Sequence, residues 1–392
     1  MKINKRNIIQ LGFTLFTIII CVWYYLYIVG ETDVRILSIG DLNPYGGWSA
    51  LKAAVTDPGY RFRGITKSIA LTIGILVLAL LMGRFFCGFI CPIGALQDFF
   101  KHMGTKMRIK EVKLPRWKFF NPEMLKYLIL LIALVLSILG LGNKVSPYSP
   151  WLAYLNVFLG FNFQRGFIVL LVIILASLFI KRIFCRCFCP LGAFQSLLAA
   201  IGPSSIKSNE VCNGCSNCLR NCIVDIERPN NMEVSPECVR CIKCVESKCI
   251  KDSEGYTIYS GKTKIGKSQY IAISLIFIIG IYLFLPLIQV KASNQPIVEL
   301  GTLKDGTYIG TSYGFGGIIQ VEVIIEDNKI VEINPMLHNE TKGYYEEVFR
   351  RVSLDIIKSQ TLNVDVISGA TVTSRGFLNG IKSGVSQALG EK

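Results

Sequence analysis

Twelve of the fourteen cysteines fall into four spaced sets, and the chain has only two histidines, His102 and His338. Any bound metal must therefore rest on thiolate. Cys212, Cys215 and Cys218 are separated by two residues each, and Cys222 follows after three more. Cys238, Cys241 and Cys244 repeat that spacing, followed after four residues by Cys249. Three thiolates on so tight a loop grip one face of a [4Fe–4S] cubane, and the more distant fourth ligates the neighbouring cluster. This rule gives Cys212, Cys215, Cys218 and Cys249 one cluster, and Cys238, Cys241, Cys244 and Cys222 the other. Cys222 precedes Ile223 where proline is usual, and the second run has one extra residue before Cys249. The cluster that Cys249 completes is thus the one open to alteration. Zinc knuckles are the competing reading, because paired Cys-x2-Cys motifs also bind zinc. Eight evenly spaced cysteines without a histidine favour iron–sulfur.

A second pair of motifs reads Cys87-Gly-Phe-Ile-Cys91-Pro-Ile-Gly-Ala-Leu-Gln97 and Cys185-Arg-Cys-Phe-Cys189-Pro-Leu-Gly-Ala-Phe-Gln195. Thiols at i and i+4 share one helical face, and the following proline is expected to end or kink the helix. If Cys87, Cys91, Cys185 and Cys189 meet, they could hold one further cluster or another thiolate-bound iron. The alternative is two packed or oxidised pairs, and a cytosolic-side position argues against stable disulfides. Cys187 has no counterpart in the first motif. No paired general acid and base, and no Ser-His-Asp set, is visible in the sequence.

These motifs need a membrane scaffold. Of 392 residues, 51% are apolar and only 18% charged, and the mean hydropathy is +0.46, a balance suited to helices that face lipid. Five segments are apolar enough to cross or nearly cross a bilayer: about 7–30, 68–86, 125–143, 166–184 and 268–290. The first and last are uncharged runs of 24 and 23 residues, enough for a span of about 20. The middle three are bounded by Lys67, Lys126, Arg165 and Lys181, which would snorkel. The formal charge of +15 sits beside the apolar segments, where it orients a membrane protein rather than binding nucleic acid. Loop 101–118 holds seven Lys/Arg and loop 144–165 holds two. With a basic start kept inside, 87–124 and 185–267 are then cytoplasmic and 291–392 extracytoplasmic. The first run is read as a span rather than a cleaved signal, being too long and lacking a small-residue cleavage site. Cys21 reads as a helix-core residue.

An internal repeat organises the membrane part. Asn43-Pro-Tyr-Gly-Gly-Trp48 recurs as Ser146-Pro-Tyr-Ser-Pro-Trp151, and each copy leads through an Arg-Gly step (Arg63-Gly64, Arg165-Gly166) and a span to a cysteine motif. Both copies run in the same direction, so a pseudo-two-fold axis along the membrane normal should bring the two motifs together. Twin Cys-x3-Cys-Pro spans before a double ferredoxin motif resemble the membrane polyferredoxins that supply electrons to periplasmic nitrate and nitrous-oxide reductases. The likeness covers roughly residues 60–250 and rests on the repeated Cys-Pro-x-Gly-Ala-x-Gln. It implies movement of electrons from the quinol pool or cytoplasm to the outside; some relatives are regulatory or handle metals.

Composition changes after the fifth span. Asp305–Gly317 reads as a strand with turns, Ile318–Ile325 alternates, Glu326-Asp-Asn-Lys329 turns the chain and Ile330–Ile333 returns. Helices follow at about 343–359 and 374–389, with Thr373 or Ser374 as cap and a helix start suited to phosphate. Block 302–390 is similar to the small FMN-binding domains of the sodium-pumping NADH:quinone oxidoreductase and Rnf-type complexes. In those, a Ser-Gly-Ala-Thr motif carries FMN through a threonine phosphoester. The resemblance assigns Ser368, Gly369, Ala370 and Thr371 to that motif, with Thr371 the attachment residue and Thr373 the runner-up. It also places His338, Asn339, Glu340 and Thr341 beside the isoalloxazine, and implies a flavin transferase as partner.

The expected fold is a multi-domain chain: an α-helical membrane bundle of about five spans with an internal two-fold repeat, a cytosolic ferredoxin-like insert and an extracytoplasmic α+β FMN-binding domain. The boundaries are 1–30 for the first span, 31–203 for the repeats, 204–262 for the insert, 263–291 for the last span and 292–392 for the flavin domain. The expected function is electron relay across a bacterial plasma membrane, from two cytosolic [4Fe–4S] clusters to covalent FMN and an extracytoplasmic acceptor. A quinol dehydrogenase feeding an outer reductase, and a redox sensor or assembly factor, are the alternatives. The donor is cytosolic or quinol.

Overall fold

The computed structural model describes residues 5–29, 31–32, 34, 36–37, 39–45, 67–114, 121–139, 148–158, 165–208, 217–226, 233–247, 255–287, 303–340, 344–362, 364 and 370–390. Cys212, Cys215, Cys249, Thr341, Ser368 and Gly369 lie outside the described residues, as do the Arg63-Gly64 step, 46–48 and 146–147 of the tyrosine repeat, and the side chain of Thr371. The chain divides into two compact units: Met1–Ile19, Thr72–Val157 and Asn162–Leu283 form one, and Ile20–Leu71, Phe158–Phe161 and Phe284–Lys392 the other.

The first unit is built on helices. Helix α1 (Lys5–Val29) contributes its first part, and α2 (Lys67–Met82) most of its length. The first cysteine motif lies across α3 (Phe85–Phe89) and α4 (Pro92–Lys106). Next come α5 (Leu125–Ile138), α6 (Pro150–Val157) and α7 (Arg165–Phe179). The second motif lies across α8 (Ile183–Cys187) and α9 (Pro190–Ile201). The insert follows as β1 (Ser204–Ser208), α10 (Asn217–Arg220), α11 (Lys243–Glu246), β2 (Tyr256–Ser260) and β3 (Thr263–Ile265), and the chain then enters α12 (Lys267–Phe284). Strands β1, β2 and β3 form one antiparallel sheet in that order. Helix α4 packs on α7, and α5 on α9.

Two stretches, Lys5–Tyr27 and Lys267–Leu287, are long and apolar enough to cross a membrane. Helices α2, α5 and α7 have 16, 14 and 15 residues, so at 1.5 Å per residue they reach only about 21–24 Å. The segments expected at 68–86 and 166–184 end early, at Met82 and Phe179, where Gly83 (φ 73°) and Arg182 (φ 45°) turn the backbone before each cysteine motif. Four helices expose apolar stripes at helical spacing: Ile8, Leu11, Leu15 and Ile19 on α1; Leu128, Leu131 and Val135 on α5; Ile168, Val172 and Leu175 on α7; Ile273, Ile276 and Ile279 on α12.

The second unit holds an antiparallel sheet, β4 (Gly306–Tyr313), β5 (Ile318–Glu326) and β6 (Lys329–Leu337), covered by α13 (Tyr345–Ser359) and α14 (Thr371–Leu389). Asp327 and Asn328 both take positive φ, 48° and 62°, which is what a two-residue hairpin of this hand requires. Alternate residues Ile319, Val321, Val323 and Ile325 bury one face of β5 against Val352, Ile356, Phe377 and Ile381. The end of α1 belongs to this unit too: Tyr24 donates to Glu347 Oε2 (3.0 Å) and Arg350 to Tyr27 (2.5 Å).

Candidate iron–sulfur and flavin sites

The Cys-Pro step has a local logic that differs from a shared helical face. Cys87 and Cys185 sit inside the short helices α3 and α8, whereas Cys91 and Cys189 lie beyond them as N-cap residues of α4 and α9. Proline therefore opens the next helix at its first position, where its missing N–H costs nothing, instead of ending the previous one. Cys189 Sγ accepts the Gly192 amide at 3.2 Å, and the Gly94 amide does the same for Cys91. A thiolate is stabilised at such a helix N-terminus.

The repeats interlock across their axis. Gln97 donates from Nε2 to Cys185 Sγ (3.2 Å), and Cys87 donates to Gln195 Oε1 (3.4 Å). Each glutamine thus reaches the first cysteine of the other repeat. Arg182 donates to the Cys87 carbonyl (2.7 Å) and Arg84 to the Cys185 carbonyl (3.3 Å), again crosswise. The motif glycines make room for this: a Cβ on Gly94 would stand 3.2 Å from Arg182, and one on Gly192 only 2.7 Å from Arg84. Burial first, then Cys185, Cys87 and Cys189, holds the Cys91 thiol well above its ordinary pKa, so all four thiols share one charged neighbourhood.

This donor set fits thiolate-bound iron. Gln195 Nε2 is buried with no hydrogen-bond partner among the described residues. Turning that amide over would aim it at a Cys87 thiolate, as Gln97 is already aimed at Cys185. Among the described residues no three His, Cys, Asp or Glu close on a point as ligands of a single ion, and none of the cysteines forms a disulfide. A cubane spreads its thiolates more widely than one ion does. Cys187 is buried at the end of α8, and burial pushes its thiol up to about 11.

Counter-charges surround the motifs. Asp98 takes Arg182 (2.8 and 2.7 Å) and Arg6. Burial would raise its carboxyl, but the two guanidiniums hold it well below the usual range. Glu237, next to Cys238, takes Arg84 (3.1 Å), Ser196 (3.1 Å), Lys126 and Tyr127. Burial is again outweighed, here by Arg84 and Lys126, and its carboxyl is lowered. No motif in the sequence marked Glu237 or Asp98; the signal lies only in their distant partners.

In the insert, Cys222 gathers with Cys238, Cys241 and Cys244. Burial, then Cys238, Cys241, Cys222 and Cys218, raises the Cys244 thiol well above its ordinary value, and burial pushes Cys238 up to about 12. Iron binding displaces such protons. Cys222 and Cys218, both from the first run, stand near enough to the second run to act on the Cys244 thiol.

In the second unit Glu340 joins two elements. Its Oε1 accepts the Gly316 amide (2.9 Å) from the turn after β4, and its Oε2 accepts the Thr373 hydroxyl (2.5 Å) from the first turn of α14. Thr373 is only 4% exposed. The helix starts at Thr371, three residues before the expected position, with Ala370 as an N-cap that makes no side-chain cap bond. The expected caps are otherwise engaged: Thr373 with Glu340, and Ser374 with the Ala370 carbonyl (3.0 Å). The amides at such a helix start suit an external acceptor such as phosphate. His338 packs on Tyr345 and Phe349 with ring centroids 4.4 and 4.9 Å away. Its buried Nδ1 has no hydrogen-bond partner among the described residues. Asn339 is exposed beside Glu340. Both features suit a polar, planar ligand.

Comparison with known proteins agrees with both sites. The family described as 4Fe-4S binding domain matches residues 67–110 and 163–208, one cysteine motif in each stretch, and the family described as FMN-binding domain matches residues 314–386. The chain is 31% identical to the putative electron transport protein YccM of Escherichia coli over 188 residues, 46% of this chain and 53% of that protein. It is 32% identical to the uncharacterized protein MJ0750 of Methanocaldococcus jannaschii, over 49% of this chain and 80% of that protein. It is also 32% identical to the regulatory protein NosR of Pseudomonas aeruginosa, over 42% of this chain and 24% of that protein. The chain thus spans about half the length of YccM and a quarter of NosR. With this coverage of MJ0750 the chain belongs to the same family, and with its two 4Fe-4S binding repeats and its FMN-binding domain it is an electron-transfer protein.

Proposed function

We propose that this chain relays single electrons from cytoplasmic iron–sulfur sites, through a centre shared by the two repeats, to a flavin on the opposite side of the membrane. Iron–sulfur groups, when bound, exchange one electron, and a flavin one or two. The residues do the rest. The observation that carries the reading is the crosswise lock, in which Gln97, Gln195, Arg84 and Arg182 each serve the cysteine motif of the other repeat. Reciprocal contacts of this kind hold the two motifs against each other, as a centre common to both halves requires. Arg84, Arg182 and the helix starts at Cys91 and Cys189 would offset its negative charge, and burial would keep water from it.

The proposed soluble ligands are Cys212, Cys215, Cys218 and Cys249 for one [4Fe–4S] cluster and Cys222, Cys238, Cys241 and Cys244 for the other. Thr371 is the proposed flavin attachment residue. The burial of Thr373 favours Thr371 over the runner-up, because an enclosed hydroxyl is poorly reached by an incoming phosphoryl group. A flavin transferase would make the bond. Ser368, Gly369, Ala370, His338, Asn339 and Thr341 complete the proposed flavin site. Five crossings, with the insert cytoplasmic and the flavin domain outside, are the proposed topology; apolar stripes on four of the five helices concerned, α1, α5, α7 and α12, and the Lys/Arg bias of the loops support it.

The test uses inside-out vesicles and an impermeant low-potential protein donor. The double variant Cys91→Ser/Cys189→Ser should keep the iron of the insert and the flavin adduct, yet lose flavin reduction. Reduction at the wild-type rate would show that these thiols are structural and that the relay runs elsewhere.

A further inference from the structure

The insert meets the repeats at Asp225, which takes Lys181 (3.0 Å) and Arg186 (3.4 Å), and along the loop that carries Glu237. Four donors from three elements converge on Glu237: Arg84 before α3, Lys126 and Tyr127 on α5, and Ser196 on α9. Arg84 also donates to the Glu237 carbonyl (3.0 Å). Three residues on, Arg240 is pinned: it takes a left-handed φ of 51°, donates to the Ser204 carbonyl (2.7 Å), and lies so close to Gly83 that a Cβ there would come 2.6 Å from its Nε. Ile242 is also left-handed, at 53°. A β-branched residue adopts that conformation only where its surroundings over-determine it.

Between these clamps, Val239 and Cys241 lie flat on α3. The contact point is Gly88, directly after Cys87: a Cβ there would run into the Val239 carbonyl and stand 3.4 Å from the Cys241 amide. Val239 is fully buried and Cys241 nearly so. Arg6 donates to the Gly88 carbonyl from the other side (3.0 Å).

We infer that the Glu237–Cys241 segment is the docking edge that presents one particular soluble site, that of Cys222, Cys238, Cys241 and Cys244, to the centre of Cys87, Cys91, Cys185 and Cys189. The inference rests on the shared-centre reading above. In the step it serves, one electron leaves the first site and one enters the second; no proton moves and no bond forms or breaks. Glu237 and Gly88 are positioning residues, acting through the backbone that carries Cys238, Cys241 and Cys87.

The test is the paramagnetic resonance spectrum of the full-length, anaerobically reconstituted, dithionite-reduced chain, read as magnetic broadening of the membrane-centre signal. Cys212→Ser/Cys215→Ser, which removes the other soluble cluster, should leave the broadening. Cys241→Ser/Cys244→Ser should abolish it. Gly88→Val, with its iron content retained, should narrow the signal because the loop is levered off α3. Persistence of the broadening in Cys241→Ser/Cys244→Ser, with loss in Cys212→Ser/Cys215→Ser, would overturn the inference. Should Gly88→Val fail to fold, the two cysteine pairs, which leave the contact intact, still decide. Absence of any membrane-centre iron in the wild-type chain would instead bring down the shared-centre reading, and this inference with it.

Discussion

In the first repeat, the arginine arriving from the other half, Arg182, meets Asp98, which belongs to that repeat's own helix α4. In the second repeat, Arg84 arrives in the mirror-image way, but the residue in the place of Asp98 is Ser196, and the carboxylate comes from Glu237 in the insert. Cysteines, prolines, glycines and glutamines repeat at a constant offset; the counter-charge does not. One half is electrostatically complete in itself. The other draws its carboxylate from the insert, where Glu237 takes both the buried Arg84 and the buried Lys126. The difference ties folding of the membrane site to docking of the cluster domain that would feed it.

Removing the self-contained charge should do the greatest damage. Asp98→Ala strands Arg6 and Arg182, both about 1% exposed or less, and should cost about 3–5 kcal/mol, seen as a large drop in the thermal midpoint of the detergent-solubilised chain. Glu237→Gln keeps an acceptor and loses the charge, so about 2–3 kcal/mol is expected. That loss should appear locally, as faster hydrogen exchange in 233–247 while α4 and α7 stay protected. Ser196→Asp sharpens the comparison: it gives the second repeat its own carboxylate and should restore part of the midpoint lost in Glu237→Gln. If the rescue fails and Ser196→Asp alone destabilises, Glu237 acts through packing rather than charge.

Smaller effects come from the glutamines. Gln97→Leu and Gln195→Leu should each lower the reduction potential of the membrane centre, on the order of tens of millivolts where 59 mV is a tenfold change for one electron, because a donor to thiolate is lost. Equal shifts would mean that the amides are equivalent once iron is bound. The mildest case is Thr373→Val, which breaks the bond to Glu340 at about 1 kcal/mol and should leave the flavin adduct in place by mass spectrometry, whereas Thr371→Ala should lose it. Loss of the adduct in Thr373→Val but not in Thr371→Ala would move the attachment site.

Spacing made much of this readable. Alternating Ile and Val encode geometry over a few residues, so the β5–β6 hairpin follows from local pattern. The Cys-Pro step was harder. The i, i+4 interval suggested one helical face, but proline suits the start of the next helix better than the end of the last, and it carries Cys91 and Cys189 to N-caps. The start of α14 shifted for a similar reason, since Thr373 is claimed by Glu340 from 33 residues away. Glu237 was invisible to sequence because its partners, Arg84 and Lys126, lie 153 and 111 residues distant. Charge pairing at that range leaves no periodic trace.

The central claim is that one centre is shared by both repeats. It is tested most directly by iron and acid-labile sulfide counts on the purified chain carrying Cys91→Ala, Cys189→Ala, or both. A shared centre predicts that each single variant loses the same complement, about four iron if it is a cubane, and that the double variant loses no more. Half-sized losses in the single variants that add in the double would mean two independent sites and would contradict the account.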